Sequence, residues 1–538
     1  MSLSGSDSHL AVSPTLAEDM NSSDTSAGLA ETPPADEEKR SIVDTGESVV
    51  AMNEPHIVDW DGPDDPGNPV NFSRHIKITN VGIVSALTFI TPLASSMFAP
   101  GVPQLMEEFH SSSRLLAGFV VSVYVLGFAI GPLILAPASE LLGRVPIYHI
   151  CNICFTVFSI ACALSTNLGM LIAFRFFQGC FGSAPVTNGG GTIADLIVQE
   201  KRGGVIAIYA LGPLLGPVIG PVAGGYLAAA RGWRWVFWVL AIVGGGCTLA
   251  SFLFLRETYP MVLLKRKTQR LIQETGNTHL RSKNDNGMST RQRFVQAIVR
   301  PSRILFRSPI VAASSVYVGI VYGYQYLMFS TFTYVFEDQY AFPTSSAGLT
   351  FLGTGVGSLL GLFVIGAVSD RILKAKSKPT PEAPSGAMKP EYRLPPLVWG
   401  AFFIPAGLFM YGWSAYYRTH WIVPIIGTGL VGIGNIAVFM CITSYLVDAF
   451  TIFAASALAA NTVVRSILGA LLPMAGQSMY DSMGLGWGNS LLGFIAVVCI
   501  PIPWAMMRYG ERMREAFDGA TIFTIFSGSV SVTRSTFT

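Results

Sequence analysis

The chain is 538 residues long, 51% of them apolar and only 13% charged, with a formal net charge of +2 at pH 7. Soluble domains carry roughly 25% charged residues, so this composition and the positive mean hydropathy of +0.48 exclude a soluble globular protein. We expect a polytopic membrane protein whose surroundings are a lipid bilayer, and no nucleic-acid partner.

The first 75 residues are rich in Ser, Thr, Pro and acidic residues, and Lys39 and Arg40 are their only basic residues before Arg74. Such a segment cannot bury a hydrophobic core, so residues 1–75 are predicted to be a disordered acidic tail. A signal peptide needs a basic start and an apolar run within about 30 residues. Since neither is present, we expect the tail to stay in the cytosol.

Twelve apolar stretches of about 20 residues follow, each long enough to cross a hydrocarbon core of roughly 30 Å. They lie near residues 77–99, 115–137, 147–166, 169–191, 204–228, 235–255, 310–332, 346–369, 396–414, 421–446, 453–476 and 486–507. Basic residues are concentrated in the segments that are inner if the tail is inner, so the positive-inside rule places both termini in the cytosol. The predicted fold class is an all-α membrane protein with twelve transmembrane helices.

The longest inner segment divides these stretches into six and six. A weak repeat supports two similar halves, because Ser139-Glu140 and Ser369-Asp370 occupy corresponding positions in the second-to-third and eighth-to-ninth loops. Parallel halves are typical of the commonest secondary-transporter fold. The predicted divisions are an N-terminal six-helix bundle at 76–255, a basic cytosolic loop at 256–309, a C-terminal six-helix bundle at 310–507 and a cytosolic tail at 508–538.

The fifth stretch contains YALGPLLGPVIGPVAGGY, residues 209–226, in which Gly-Pro recurs every four residues. Four residues advance about 400° around a helix, so the glycines form a strip on one face where another helix can pack closely. Each proline bends the helix, a cost that neighbouring helices can absorb in a membrane. We interpret the motif as an interface on which the two bundles close; ordinary Gly and Pro in a membrane helix is the alternative. Its residues are Gly212, Pro213, Gly216, Pro217, Gly220, Pro221, Gly224 and Gly225.

Motifs along most of the chain resemble those of the major facilitator superfamily, specifically its fungal twelve-helix drug:proton antiporter group. They are DWDGPDDPGNPVNFS, GPLILAPASELLGRVPIY, LIAFRFFQGCFG, the Gly-Pro motif, RETYPMVLLKRKTQRL, KPEYRLP, SYLVDAF and SALAANTVVRS. The chain departs from the family pattern at Phe72, where Trp is usual, at Glu140, where Asp is usual, and at Val145, where a basic residue is common. The resemblance implies a transporter of small molecules that uses the proton gradient and needs no cofactor.

The loop between the second and third stretches holds a candidate gate. Glu140 and Arg144 flank a tight turn at Gly143, and they can pair with Asp195, Lys201 or Arg202 at the inner end of the fourth stretch. Such a cluster would hold the two bundles together when the site faces outward and break when it faces inward. The alternative is a static, solvated turn or a determinant of topology.

Two arginines lie inside apolar stretches, where an ionised side chain is costly and is a functional candidate by default. For Arg175 in the fourth stretch, the resemblance implies a role in proton coupling. The alternative is an arginine bonded to backbone carbonyls or reaching the outer surface. Arg465 in the eleventh stretch raises the same question. No Asp or Glu lies in the middle of any stretch, so no proton-carrying residue is identified.

The seventh stretch carries Tyr322, Tyr326, Phe329 and Thr333 at spacings that place them on one face. Sparse polar side chains at membrane depth are added by Gln178, Asn188, Gln325, Asn435 and Asn461. An aromatic wall with few hydrogen-bonding groups and no fixed charge suits amphipathic organic molecules better than sugars, ions or amino acids. Ordinary aromatic packing is the alternative.

Two familiar patterns are not assigned a function. Gly427, Gly429 and Gly432 spell GxGxxG, but inside an apolar stretch without a preceding strand, so nucleotide binding is not predicted. Cys151 and Cys154 spell CxxC without the partners that zinc or redox chemistry needs. We therefore expect no metal site.

The sequence predicts a monomeric efflux transporter that exports small amphipathic organic molecules in exchange for protons. The substrates would be drugs, xenobiotics or secondary metabolites, and the membrane the plasma membrane, with the vacuolar membrane as the alternative. Uptake of a small organic nutrient or vitamin is the alternative within transport. A membrane enzyme would need clustered His or carboxylates near one face, and a sensor a long structured inner domain; neither is evident.

Overall fold

The structure, a computed structural model, describes residues 57–283, 289–376, 389–450 and 453–518. Eleven long helices carry most of this part of the chain. They are α1 Arg74–Ser96, α2 Arg114–Leu142, α3 Arg144–Ala163, α4 Leu168–Leu196, α5 Gln199–Arg231, α6 Arg234–Phe254, α7 Pro309–Tyr340, α8 Leu352–Lys376, α9 Pro395–Tyr416, α10 Ile422–Phe450 and α11 Ala454–Cys499. We refer to α1–α6 as the first half and to α7–α11 as the second half.

Each of the twelve predicted apolar stretches overlaps one of these helices, and the twelfth continues into a further helix, Pro501–Asp518. By length and hydropathy, ten helical segments of the described residues can cross a membrane, the last being Ala454–Met513. That segment holds two of the predicted stretches. Gly484, with a φ of 71°, interrupts α11 between them. The helix α4 is not among the ten, since glycines and polar residues dilute its apolar residues. The all-α membrane fold is confirmed, and the number of twelve crossings stays a prediction.

The segment between the halves folds into two further helices, Pro260–Thr275 and Thr290–Arg307. Before them in the chain, β1 Ile57–Val58 pairs in parallel with β2 Arg281–Ser282. The prediction of disorder over residues 1–75 is therefore wrong for residues 57–73, which pack on this segment through backbone pairing and ion pairs. Residues 1–56 and 519–538 of the two predicted tails lie outside the described residues.

Charged side chains fasten residues 57–73 to the central segment. Lys267 Nζ donates to Asp65 Oδ2 at 3.0 Å, and Lys283 pairs with Asp59. The backbone N–H groups of Asp61 and Gly67 donate to the Asp65 carboxylate at 2.9 and 2.7 Å. These backbone hydrogen bonds, and then the Lys267 ammonium, lower the pKa of Asp65 to about 2. The carboxylate therefore stays ionised and keeps the segment attached at neutral pH.

The glycine strip of α5 packs against α1 in the same half. An added Cβ at Gly216 would lie 2.8 Å from the Leu93 amide nitrogen, and one at Gly224 would overlap the Met97 carbonyl oxygen. The strip consists of Gly212, Gly216, Gly220 and Gly224. The interpretation of this strip as an interface between the halves is corrected: it allows two helices of one half to approach closely.

The halves meet instead along two seams. In the first, Ser122 Oγ on α2 donates to the Ala470 carbonyl on α11 at 2.7 Å. In the second, the C-terminal end of the Gly-Pro motif contacts the turn before α8, where a Cβ at Gly225 would lie 2.9 Å from the Thr344 carbonyl oxygen. Pro221 adjoins Gly348 in the same seam. Val218, in the middle of the motif, also packs against Gly355 of α8, so part of the motif lies between the halves while its glycine strip faces α1.

Candidate functional site

Arg175 on α4 is fully buried and bonded to backbone carbonyls of two neighbouring helices. Its Nε donates to Val120 O at 3.1 Å, and its Nη1 and Nη2 donate to Ala94 O at 3.3 Å and Ser95 O at 3.2 Å. Three ring centres, those of Phe98, Tyr124 and Phe237, lie within 5.6 Å of its guanidinium carbon. Carbonyl dipoles and ring faces both stabilise a guanidinium that lacks a counter-ion.

This geometry matches the structural alternative for Arg175. No carboxylate of the described residues pairs with it, and it ties α1 and α2 to α4. A role in proton coupling stays a prediction. Because backbone carbonyls accept from its donors, Arg175 can lie deep in an apolar helix without an ion-pair partner among the described residues.

A chain of hydroxyl groups leads from Arg175 to the second half. Ser95, whose carbonyl binds Arg175, has its Oγ 3.0 Å from the Tyr326 hydroxyl on α7. The Tyr322 hydroxyl donates to the Tyr326 hydroxyl at 3.5 Å. The Arg465 guanidinium lies over the Tyr322 ring, 4.7 Å from its centre. The two arginines chosen from the sequence are thus connected across the boundary between the halves.

The far end of this chain is a cluster of partly exposed side chains in the middle of α7, α10 and α11. The Arg465 guanidinium lies between the rings of Tyr322 and Phe439, at 4.7 and 5.2 Å from their centres. One helical turn away, Asn435 donates to Gln325. We call these residues the Arg465 cluster: Tyr322, Gln325, Asn435, Phe439 and Arg465.

The Arg465 cluster is accessible, in contrast to the residues around it. Each of its five side chains is partly or largely exposed, whereas Tyr326 and Phe329 on the same helix are 4% and 2% exposed. Every member of the cluster except Phe439 is a candidate site residue predicted from the sequence. A search for aromatic residues one helical turn from Asn435 would have found it.

The aromatic residues predicted for one face of α7 contact one another, but most of them are packed inside the protein. Tyr326 contacts Tyr322 and Phe329 at ring-centre distances of 4.9 and 5.6 Å. Phe329 in turn packs on Phe351 at 5.5 Å. Thr333 is buried as well. Of the proposed aromatic wall, only Tyr322 is open to a ligand in this conformation.

Three amides proposed for the pocket are buried. Gln178 Nε2 donates to Ser159 Oγ at 2.8 Å, between α4 and α3. Asn188 accepts a hydrogen bond of 3.1 Å from Ser139 Oγ at the end of α2. Asn461 lies one turn before Arg465 on α11 and is 3% exposed. We therefore remove Gln178 and Asn188 from the candidate pocket, because both pack helices within the first half.

The candidate gate around Arg144 is a polar network, but it lies within the first half and the segment that follows it. Arg144 Nε pairs with Asp195 Oδ2 at 3.3 Å, and its Nη1 donates to Ser139 Oγ at 2.7 Å. Glu257 accepts from the backbone N–H of Arg144 at 2.9 Å. Glu140 is exposed and has no ion pair with a described residue. The proposed latch between bundles is therefore corrected: the network joins α2, α3 and α4 to residue 257.

The second half contains a corresponding network, which extends the repeat seen in the sequence. Arg393, just before α9, pairs with Asp448 near the end of α10 at 3.0 Å and with Asp370 of α8 at 3.7 Å. This repeats the placement of Arg144 at the start of α3 and Asp195 at the end of α4. This network was not predicted from the sequence, although KPEYRLP contains Arg393 and SYLVDAF contains Asp448.

Two structurally repeated halves of membrane helices, with a partly exposed polar cluster at membrane depth, are typical of a membrane transporter. The family model of the Major Facilitator Superfamily matches residues 84–473, and the chain belongs to that superfamily.

Fungal relatives agree with this assignment. The MFS-type transporter penM of Penicillium rubens is 57% identical over 86% of this chain and 91% of its own length. The efflux pump radE of Floropilus chiversii is 52% identical over 86% of this chain and 85% of its own. The MFS transporter cpaT of Aspergillus oryzae is 51% identical over 85% of this chain and 91% of its own length.

Solved structures show the same fold at low identity. The partially occluded, inward-open xylose transporter XylE from E. coli aligns with a TM-score of 0.61 at 16% identity, covering 80% of this chain and 97% of that one. A bacterial homolog of the human lysosomal transporter Spinster aligns with a TM-score of 0.56 at 14% identity, covering 82% and 98%.

Proposed function

We propose that this transporter is a secondary active exporter of small amphipathic organic molecules such as drugs, xenobiotics or secondary metabolites. The observation that carries the proposal is the Arg465 cluster, in which aromatic rings and a few polar groups are accessible at membrane depth. Such a lining suits a ligand with a large apolar body and few hydrogen-bonding groups. The name of the relative radE, an efflux pump, supports the direction of transport.

Export would occur by alternating access around this cluster. The contacts Ser122–Ala470 and Gly225–Thr344 both lie toward the helix ends that are predicted to face outside. Arg465 precedes Ala470 on α11 and so lies on the predicted cytosolic side of the first seam. We propose that the cluster is reached from the cytosolic side in this state, the state in which an exporter loads its substrate.

The coupling and the cellular location are parts of the same proposal. We propose exchange for protons, as the resemblance to drug:proton antiporters implies, without assigning the residue that carries the proton. We also propose a monomer in the plasma membrane, with both termini in the cytosol and with no cofactor.

Export is tested by measuring the accumulation of labelled hydrophobic compounds in cells that express the chain. We expect lower accumulation than in cells without it, and loss of this difference with a protonophore. A matched control is the Val498→Ala variant, because Val498 on α11 is 76% exposed. This variant should export as the unmodified protein does. Raised or unchanged accumulation across the panel would contradict export, and export that resists the protonophore would contradict proton coupling.

A further inference from the structure

The Arg465 cluster contains an electrostatic feature that the proposed function leaves unused. The guanidinium carries a full positive charge at membrane depth, yet no described carboxylate pairs with it. Asp370 and Asp448, two acidic residues near helix ends in the second half, already form ion pairs with Arg393. An unpaired charge within a membrane is costly and is retained where it serves a ligand.

The two arginines within membrane helices differ in what their nitrogen atoms bind. The described contacts of Arg175 include backbone carbonyls for Nε, Nη1 and Nη2, and its side chain is inaccessible. The Nε of Arg465 is itself buried and has no hydrogen-bond partner among the described residues, although the side chain as a whole is partly exposed. The donors of Arg175 are therefore taken up by the protein, whereas no hydrogen-bond acceptor among the described residues takes up the donors of Arg465.

The rings on either side position these donors without occupying them. Tyr322 and Phe439 contact the guanidinium through their π-faces, which attract the charge but accept no strong hydrogen bond from it. A guanidinium presents a planar fork of N–H donors that matches the two oxygens of a carboxylate. The amides of Gln325 and Asn435 add further polar atoms one turn away.

We propose that the Arg465 cluster binds an organic anion, a molecule with one carboxylate or similarly delocalised acidic group on an aromatic or apolar body. This inference rests on the proposed export function and narrows its substrate class. It also corrects the expectation of a pocket without fixed charge. The acidic group pairs with Arg465, and the apolar body packs on Tyr322 and Phe439.

The test uses the purified full-length protein in lipid nanodiscs and three probes of similar shape. They are 1-naphthylacetate, the neutral 1-naphthylacetamide and the cationic 1-naphthylethylammonium. We expect the unmodified protein to bind the carboxylate at least about tenfold more tightly than the amide, and the ammonium most weakly. Equal binding of the carboxylate and the amide, or no binding of the carboxylate, overturns the proposal without any variant.

Two variants assign the preference to Arg465. In Arg465→Gln, the ratio of carboxylate to amide affinity should fall to within about twofold, while amide binding is unchanged. In Arg465→Lys, which keeps the charge but not the fork, an intermediate ratio is expected. A carboxylate preference that persists in Arg465→Gln overturns the proposal. If that variant fails to fold, a ratio of carboxylate to amide affinity that is unchanged in Arg465→Lys overturns it.

Transport by the same protein in proteoliposomes separates this inference from the proposed function. If the carboxylate binds through Arg465 but is not moved out of the cytosolic side, export fails and the anion site stands. If neutral and cationic probes are exported as well as the carboxylate, export stands and the anion site fails.

Discussion

The Tyr326 hydroxyl on α7 lies 3.0 Å from Ser95 Oγ on α1, and this hydrogen bond joins the second half to the first. Ser95 Oγ in turn donates to the Pro92 carbonyl at 2.6 Å, so the Ser95 hydrogen is used and Tyr326 is the donor between the two hydroxyls. Since the Tyr322 hydroxyl donates to Tyr326, the hydroxyls form one directed chain from the Arg465 cluster into the first half.

We expect Tyr326→Phe and Ser95→Ala each to lower stability by about 1 kcal/mol, the net value of one hydrogen bond. Because both changes remove the same contact, the double variant should lose less than the sum of the two. Thermal unfolding of the three variants in detergent measures this coupling. Additive losses would show that the two hydroxyls do not interact in solution.

Close packing of α5 on α1 predicts that Gly224→Ala is destabilising by roughly 1 to 3 kcal/mol, because the new methyl group would overlap the Met97 carbonyl oxygen. Gly204 on the same helix has no atom within 4 Å of an added Cβ. The control variant Gly204→Ala should therefore be neutral or slightly stabilising, as alanine favours helices. Equal unfolding midpoints for the two variants would contradict the close approach of α5 and α1.

The two arginine networks should differ in strength despite their similar placement. The side chains of Arg144 and Asp195 are 10% and 14% exposed, so Asp195→Asn leaves a buried charge unpaired and should cost roughly 2 to 4 kcal/mol. Asp448 is 35% exposed and Arg393 retains Asp370, so Asp448→Asn should cost less than about 1 kcal/mol. Unfolding midpoints in detergent test this ranking, which the reverse order would refute.

The attachment of residues 57–73 should depend on pH through Asp65. Its pKa is about 2 in the folded protein, against 3.8 ordinarily, so its stabilising contribution is complete above pH 3.8 and is lost as the pH falls through about 2. Hydrogen exchange at the amides of Asp61 and Gly67, corrected for the intrinsic effect of pH, should stay slow down to about pH 3. In Asp65→Asn these amides should exchange faster at neutral pH as well; unchanged protection in that variant would show that the carboxylate does not hold them.

Local features of the chain were sufficient to predict its class and its helices. Apolar stretches of about 20 residues and scarce charge imply membrane helices wherever they occur, because both depend only on neighbouring residues. The positions of Arg175 and Arg465 inside apolar stretches are likewise visible without a fold.

The partners of these residues depended on how the helices are oriented in space. Arg175 and Arg465 look alike in the sequence, but carbonyls of α1 and α2 take up the donors of Arg175, while among the described residues Arg465 contacts ring faces. The glycine strip of α5 predicts close packing but not that α1 is the helix it contacts. A side chain's neighbours come from distant parts of the chain, and the rotation and tilt of each helix, rather than its own residues alone, determine which charge is satisfied and which remains available to a ligand.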